Sequence, residues 1–149
     1  LEATKTLLKN PNDLDARGII MMGASLSTSS RIGIGKEEAY AYDIYELEFL
    51  PEKLFGSSYR RSLTSIFPRF LEAMGKRHAE DVGKYYLDVF GFDSSIEESS
   101  RKLVALFSDF GVDMYYDGII NREQVGCIPC DTELDENEIF EMINGVIRK

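Results

Sequence analysis

An all-α fold is predicted for this chain, on three observations. The segment 58–75 carries Leu63, Ile66, Phe67, Phe70, Leu71 and Met74 at helical spacing, which makes one apolar stripe. The segment from Leu134 opens with a complete helix-start signal, Asp135 as cap and Glu138 three residues on. No stretch of useful length alternates apolar and polar residues with a period of two, as half-buried strands do. About seven helices, almost no sheet and no internal repeat follow from this pattern.

Taken in order, residues 1–9 read as a helix stopped at Asn10-Pro11. Asn12 or Asp13 caps the next helix, which carries Ile19, Ile20, Met22, Ala24 and Leu26. Its small residues suit close packing, so a central position is expected for it. The glycines of Arg31-Ile-Gly-Ile-Gly35 stop it. A helix over 37–49 follows, and Pro51 and Gly56 mark a turn. Pro68 inside the next helix predicts a kink or a break. A helix over 76–90 stops at Gly91. Ser95 with Glu98 forms a capping box for a helix that buries Leu103, Val104, Leu106, Phe107 and Phe110. Residues 112–131 read as irregular, with a short helix near Arg122. In the last helix Leu134 and Ile139 form a hydrophobic staple, and Phe140, Ile143, Val146 and Ile147 face the core.

The 149 residues make one domain with room for a real core. A formal net charge of −9 disfavours nucleic acid and anionic membrane surfaces, since both need clustered Lys and Arg. No apolar run approaches the ~20 residues that span a bilayer. Two cysteines do not make a disulfide scaffold, so a reducing, cytoplasmic setting is expected. The chain opens at Leu1 already in helical register, which predicts a domain taken from something longer.

Four signals are weighed against plainer readings. Cys127-Ile-Pro-Cys130 lacks both a second ligand pair and the preceding strand of a thioredoxin-like motif, so it reads as two thiols in a loop. Gly33-Ile-Gly-Lys36 lacks the full phosphate-loop spacing and reads as a helix-ending turn. His78, the one histidine, sits among charged residues and reads as a solvated side chain. The acids Asp131, Glu133, Asp135, Glu136 and Glu138 suit a helix N-terminus rather than a calcium loop.

From Asp15 onward the chain resembles the C-terminal helical domain of the iron-containing alcohol dehydrogenases, a dehydroquinate synthase-like fold, and within them the butanol dehydrogenase-like branch. ARGIIMMGASLS (16–27) is similar to that branch's "ARxxIMWAxTLS" helix, YDIYELEF (42–49) to its "HDIEHELS", and YRRSLTSIFP (59–68) to its "HGAGLAIVFP". KLVALFSDFGV (102–112) resembles "LxxFFxxLGxP", and LDENEIFEMI (134–143) resembles "LxxEDVxxIL". The likeness spans nearly the whole chain in order.

The resemblance implies an upstream nucleotide-binding α/β domain as partner, with the substrate site in the cleft between the two. It implies NAD(P) and a divalent metal, iron or zinc, held by one Asp and three His, where the metal polarises the alcohol oxygen. Tyr42 and Tyr59 stand at two of the histidine ligand positions, and Glu46 stands at the family's further histidine. A phenol ligates only as phenolate, with a reference pKa of about 10, so the divalent affinity should be largely lost. Glu46 is the one candidate catalytic or ligating carboxylate left. Arg60, Arg61 and Ser62 replace glycines that keep the cofactor side open. Arg60 and Arg61 are the candidate cofactor-binding or anion-binding residues there. For this chain alone no metal or cofactor is expected and no turnover; a homodimer is an open partner state. The competing reading is a helical binding or assembly module, with a metal-free cleft lined by Tyr40, Tyr42, Tyr45, Tyr59, Glu46 and Arg60 that takes a small polar ligand.

Overall fold

The computed structural model describes residues 1–27, 43–126 and 132–148. The chain divides into two compact units, Leu1–Ala41 and Tyr42–Lys149. The glycine turn 31–35, the Gly33–Lys36 motif, Tyr40, Tyr42 and Cys127–Asp131 lie outside the described residues.

In the first unit, α1 (Glu2–Lys9) ends at Asn10, and α2 (Leu14–Ser27) begins where the Asp13 carboxylate accepts from the Ala16 amide at 2.9 Å. The sequence pattern places α2 centrally, but within it only Ala16 is buried; Ile19, Met21, Met22 and Leu26 are exposed. The reason is the distribution of its apolar residues. Ile19 to Met22 run consecutively round the axis, so they present no single stripe that one neighbouring helix could cover.

The second unit is built on α5 (Tyr59–Met74). α3 (Asp43–Leu47), α4 (Phe49–Phe55), α6 (Ala79–Tyr85), α7 (Ile96–Asp109) and α9 (Glu136–Asn144) all pack against it or against each other, with α8 (Arg122–Gly126) on α9. Ile66, Phe70, Leu71, Leu103 and Ile143 sit at the centre of the core. α5 approaches α7 closely because serines line the contact. Ser99 and Ser100 are buried, and the Ser100 hydroxyl donates to the Pro68 carbonyl at 3.0 Å. At the end of α5 a Cβ on Gly75 would come within 2.7 Å of the Ile96 side chain, so a larger residue there would require Ile96 to shift.

Proline behaves differently from expectation at Pro51, and at Pro68 the break that the sequence allowed for does not occur. Pro51 does not mark a turn. It lies in the first turn of α4, where no intrahelical N–H is needed, and the helix stops instead at Gly56 in the left-handed region, φ 63°. Pro68 does not break α5, which is continuous through it.

The segment after α6 winds into a π-turn, Tyr86–Phe90. The wider turn shifts the helical phase, leaving Val89 exposed while Tyr86, Phe90 and Phe92 gather with Tyr85. The start signals behave largely as read. Ser95 accepts from the Glu98 amide, although the Glu98 carboxylate pairs with Lys102 rather than closing the box. The Asp135–Glu138 box is complete, and Leu134 and Ile139 are both buried. Among the described residues the only strand-like pairing is one parallel bridge, Tyr116 to Ile147. No described helix is long and apolar enough to cross a membrane.

Candidate functional site

α3 and α5, which carry two of the segments quoted above, pack against one another. Between them and α7 lies a cavity of about 280 Å³ lined by Ile44, Tyr45, Leu63, Thr64, Phe67 and Phe107. Its walls are apolar apart from the Tyr45 and Thr64 hydroxyls, and the Thr64 hydroxyl donates to the Arg60 carbonyl at 2.7 Å.

One helical turn beyond this lining the character changes. Glu48 follows Ile44 by four residues, its amide donating to the Ile44 carbonyl at 3.0 Å. Tyr59 precedes Leu63 by four on α5. Glu48 is only 3% exposed, and its Oε2 is buried with no hydrogen-bond partner. Burial pushes its carboxyl up to about 7, and the Glu52 carboxylate adds to the rise. The Tyr59 phenol is raised too, first by burial, then by Glu48, Tyr45 and Glu52. No basic side chain offsets either shift. Ser62, on the turn after Tyr59, holds a second buried oxygen without a partner.

Of the residues singled out by sequence, Tyr45 and Tyr59 are brought together, both partly exposed at the rim. Tyr42 lies outside the described residues. Glu46 is half-buried and engaged in an interaction of its own. Arg60 is exposed. Arg61 points elsewhere: it donates to Asp113 Oδ2 at 2.8 Å and to the Tyr115 carbonyl at 2.5 Å, and its guanidinium lies 4.4 Å from the Tyr116 ring centroid. It clamps the 113–116 segment to the N-terminal turns of α5. His78 pairs with Glu133 at 3.0 Å on the surface. Among the described residues, no three His, Cys, Asp or Glu side chains converge as a metal-ligand group.

Glu48 is the residue that sequence reasoning passed over. A signal for it exists: Ile44, Leu47, Glu48 and Pro51 stand at i, i+3, i+4 and i+7, so an acid occupies a place in an apolar stripe. The repeated acids Glu46, Glu48 and Glu52 mask that one exception.

No family model, no curated protein and no solved structure matches the chain.

Proposed function

We propose that this chain is the helical half of an iron-containing alcohol dehydrogenase-like oxidoreductase whose metal site has been lost. In the full protein it supplies one wall of the substrate cleft, and a nucleotide-binding domain supplies the other with NAD(P). The observation that carries this reading is the pairing of α3 and α5. The segments resembling the family's two ligand-bearing helices pack on each other and enclose a cavity at their junction. The all-helical architecture is consistent with it. Tyr59 at a histidine position, beside Glu48 and Glu52 rather than imidazoles, makes a poor site for a transition ion, which favours neutral nitrogen donors.

A second reading, a metal-free binding module, draws support from the orphaned Glu48 oxygen. An unmade bond on a buried carboxyl is costly, of order 1–3 kcal/mol, and such a cost is commonly kept where function uses it.

Metal analysis of the protein carrying this domain together with a nucleotide-binding half separates the two, combined with alcohol oxidation followed at the nicotinamide absorbance. Substoichiometric metal with turnover supports the oxidoreductase reading with a degenerate site. Stoichiometric iron or zinc overturns the loss of the site, and no turnover with any alcohol favours the binding module.

A further inference from the structure

We propose that the cavity beside Arg69 and Arg148 is a binding site for a small carboxylate that carries an apolar, aromatic body. The cavity holds about 500 Å³ and is lined by Arg69, Tyr115, Gly145, Ile147 and Arg148. It shares no residue with the cavity between α3, α5 and α7.

The lining sets the sign of the ligand. Among the described residues that line it two are arginines and none is an acid, in a chain whose formal net charge is −9. An anion is drawn to such a wall and repelled by the acidic surface elsewhere. Arg69 and Gly145 also border a second cavity, of about 220 Å³, whose wall includes Glu72, Glu138 and Glu141. Those carboxylates disfavour an anion there, which directs it to the Tyr115 side.

Arg69 is held ready for it. Its Nη1 donates to Glu72 Oε2 at 2.9 Å, and the buried Ser100 places its Oγ 3.2 Å from the same oxygen. A Cβ on Gly145 would stand 3.3 Å from Arg69 Nε, so the missing side chain gives the guanidinium its room. Glu72 takes one of five N–H donors, and a guanidinium fork matches a carboxylate with two parallel bonds. Arg148 is tied more fully, to Asp113 at 3.1 Å and to Asp117 at 3.3 Å. Asp113 also pairs with Arg61 at 2.8 Å, so its charge is divided between two guanidiniums. Arg69 therefore meets the ligand directly, and Arg148 adds positive potential.

The backbone selects a carboxylate over a phosphoryl group. The Tyr115 amide donates to Asp113 Oδ1, and the amides of Gly145, Ile147 and Arg148 donate to the carbonyls of Glu141, Asn144 and Tyr116. With these four amides spent, the lining forms no nest of N–H groups for phosphate oxygens. One planar guanidinium answers one planar carboxylate. The rest of the wall, the half-buried Tyr115 and Ile147, offers an aromatic face and an aliphatic side chain to the ligand's body.

The site stands on this lining and not on the oxidoreductase reading, so the failure of either leaves the other intact. The test is NMR titration of the full chain, at low salt, with phenylacetate, phenylethanol, acetate and phenyl phosphate. Phenylacetate is expected to saturate at millimolar concentration, with amide shifts centred on Tyr115, Gly145 and Ile147. It should bind about tenfold more tightly than phenylethanol, as one charge-assisted contact gives, and more tightly than acetate or phenyl phosphate. Arg69→Gln is expected to lower phenylacetate to the level of the alcohol. Equal binding of acid and alcohol overturns the proposal, as does an acid preference unchanged in Arg69→Gln. Shifts centred elsewhere, no saturation at millimolar concentration, or tighter binding of phenyl phosphate or acetate also overturn it. If the variant does not fold, the comparison of acid with alcohol in the unsubstituted chain decides.

Discussion

Glu48 and Tyr116 are polar side chains sunk to nearly the same depth, 3% and 2% exposed, and they are provided for in opposite ways. The Tyr116 hydroxyl is bonded to Ser57 Oγ at 3.0 Å and to Ser65 Oγ at 2.9 Å. Phe55 stacks on the Tyr116 ring at 4.6 Å, and Arg61 sits over it. The Tyr116 backbone bonds Val146 and Arg148, so this residue ties α4, α5 and the C-terminal segment together. Glu48 has an apolar setting, an acidic neighbour in Glu52, and an oxygen with no protein partner. Full satisfaction of a buried polar group is the mark of a structural role. An unsatisfied one, as at Glu48, carries a cost that the surrounding packing does not repay.

Breaking the satisfied cluster should have the largest effect. Tyr116→Ala removes the stack, the cation contact and both hydroxyl bonds. A loss of about 3–5 kcal/mol is expected, measured by urea unfolding; a loss under 1 kcal/mol would mean that the cluster contributes little.

Glu48→Gln should act in the other direction, and only at higher pH. The folded carboxyl lies at about 7, above the ordinary value of 4.5. A group raised on folding contributes its stability below the unfolded value and loses it as pH climbs through the folded one. The unsubstituted chain therefore loses stability between about pH 4.5 and 7 on account of Glu48. The variant, which has no proton to lose, should be more stable by roughly 1–3 kcal/mol at pH 8 and no more stable at pH 4.5. Unfolding midpoints that differ equally at both pH values would separate the effect from ionisation.

Tyr59→Phe sharpens the contrast from the rim. Tyr59 is 48% exposed, and its hydroxyl supports no packing, so unfolding should shift by less than about 0.5 kcal/mol. A large stability change would make Tyr59 a structural residue.

Legibility in the sequence followed how local each signal is. The Asp135–Glu138 box and the stripe of α5 were readable because caps and periodic stripes are written within a turn or two of chain. Pro51 misled because a proline's effect depends on its position within a helix, and the helix start at Phe49 is set by packing of Leu50 and Pro51, both buried. α2 misled because composition does not say what lies across from a face. The phase shift at Tyr86–Phe90 has no local motif, since a π-turn is held by the aromatic packing around it. The site divided along the same line. Tyr45 and Tyr59 could be named as aromatic residues on facing helices. The burial of Glu48, and the diversion of Arg61 to Asp113 more than 50 residues away, exist only in three dimensions.

The carboxyl of Glu48 itself offers the most direct test. Carbon-13 NMR of the side-chain carboxyls across pH 3 to 9, compared with Glu48→Gln, resolves each glutamate's titration. One carboxyl titrating at about 7 and absent from the variant is the expected result. Every glutamate titrating within the ordinary range of about 3.5–5 would contradict a buried, unanswered carboxyl at Glu48.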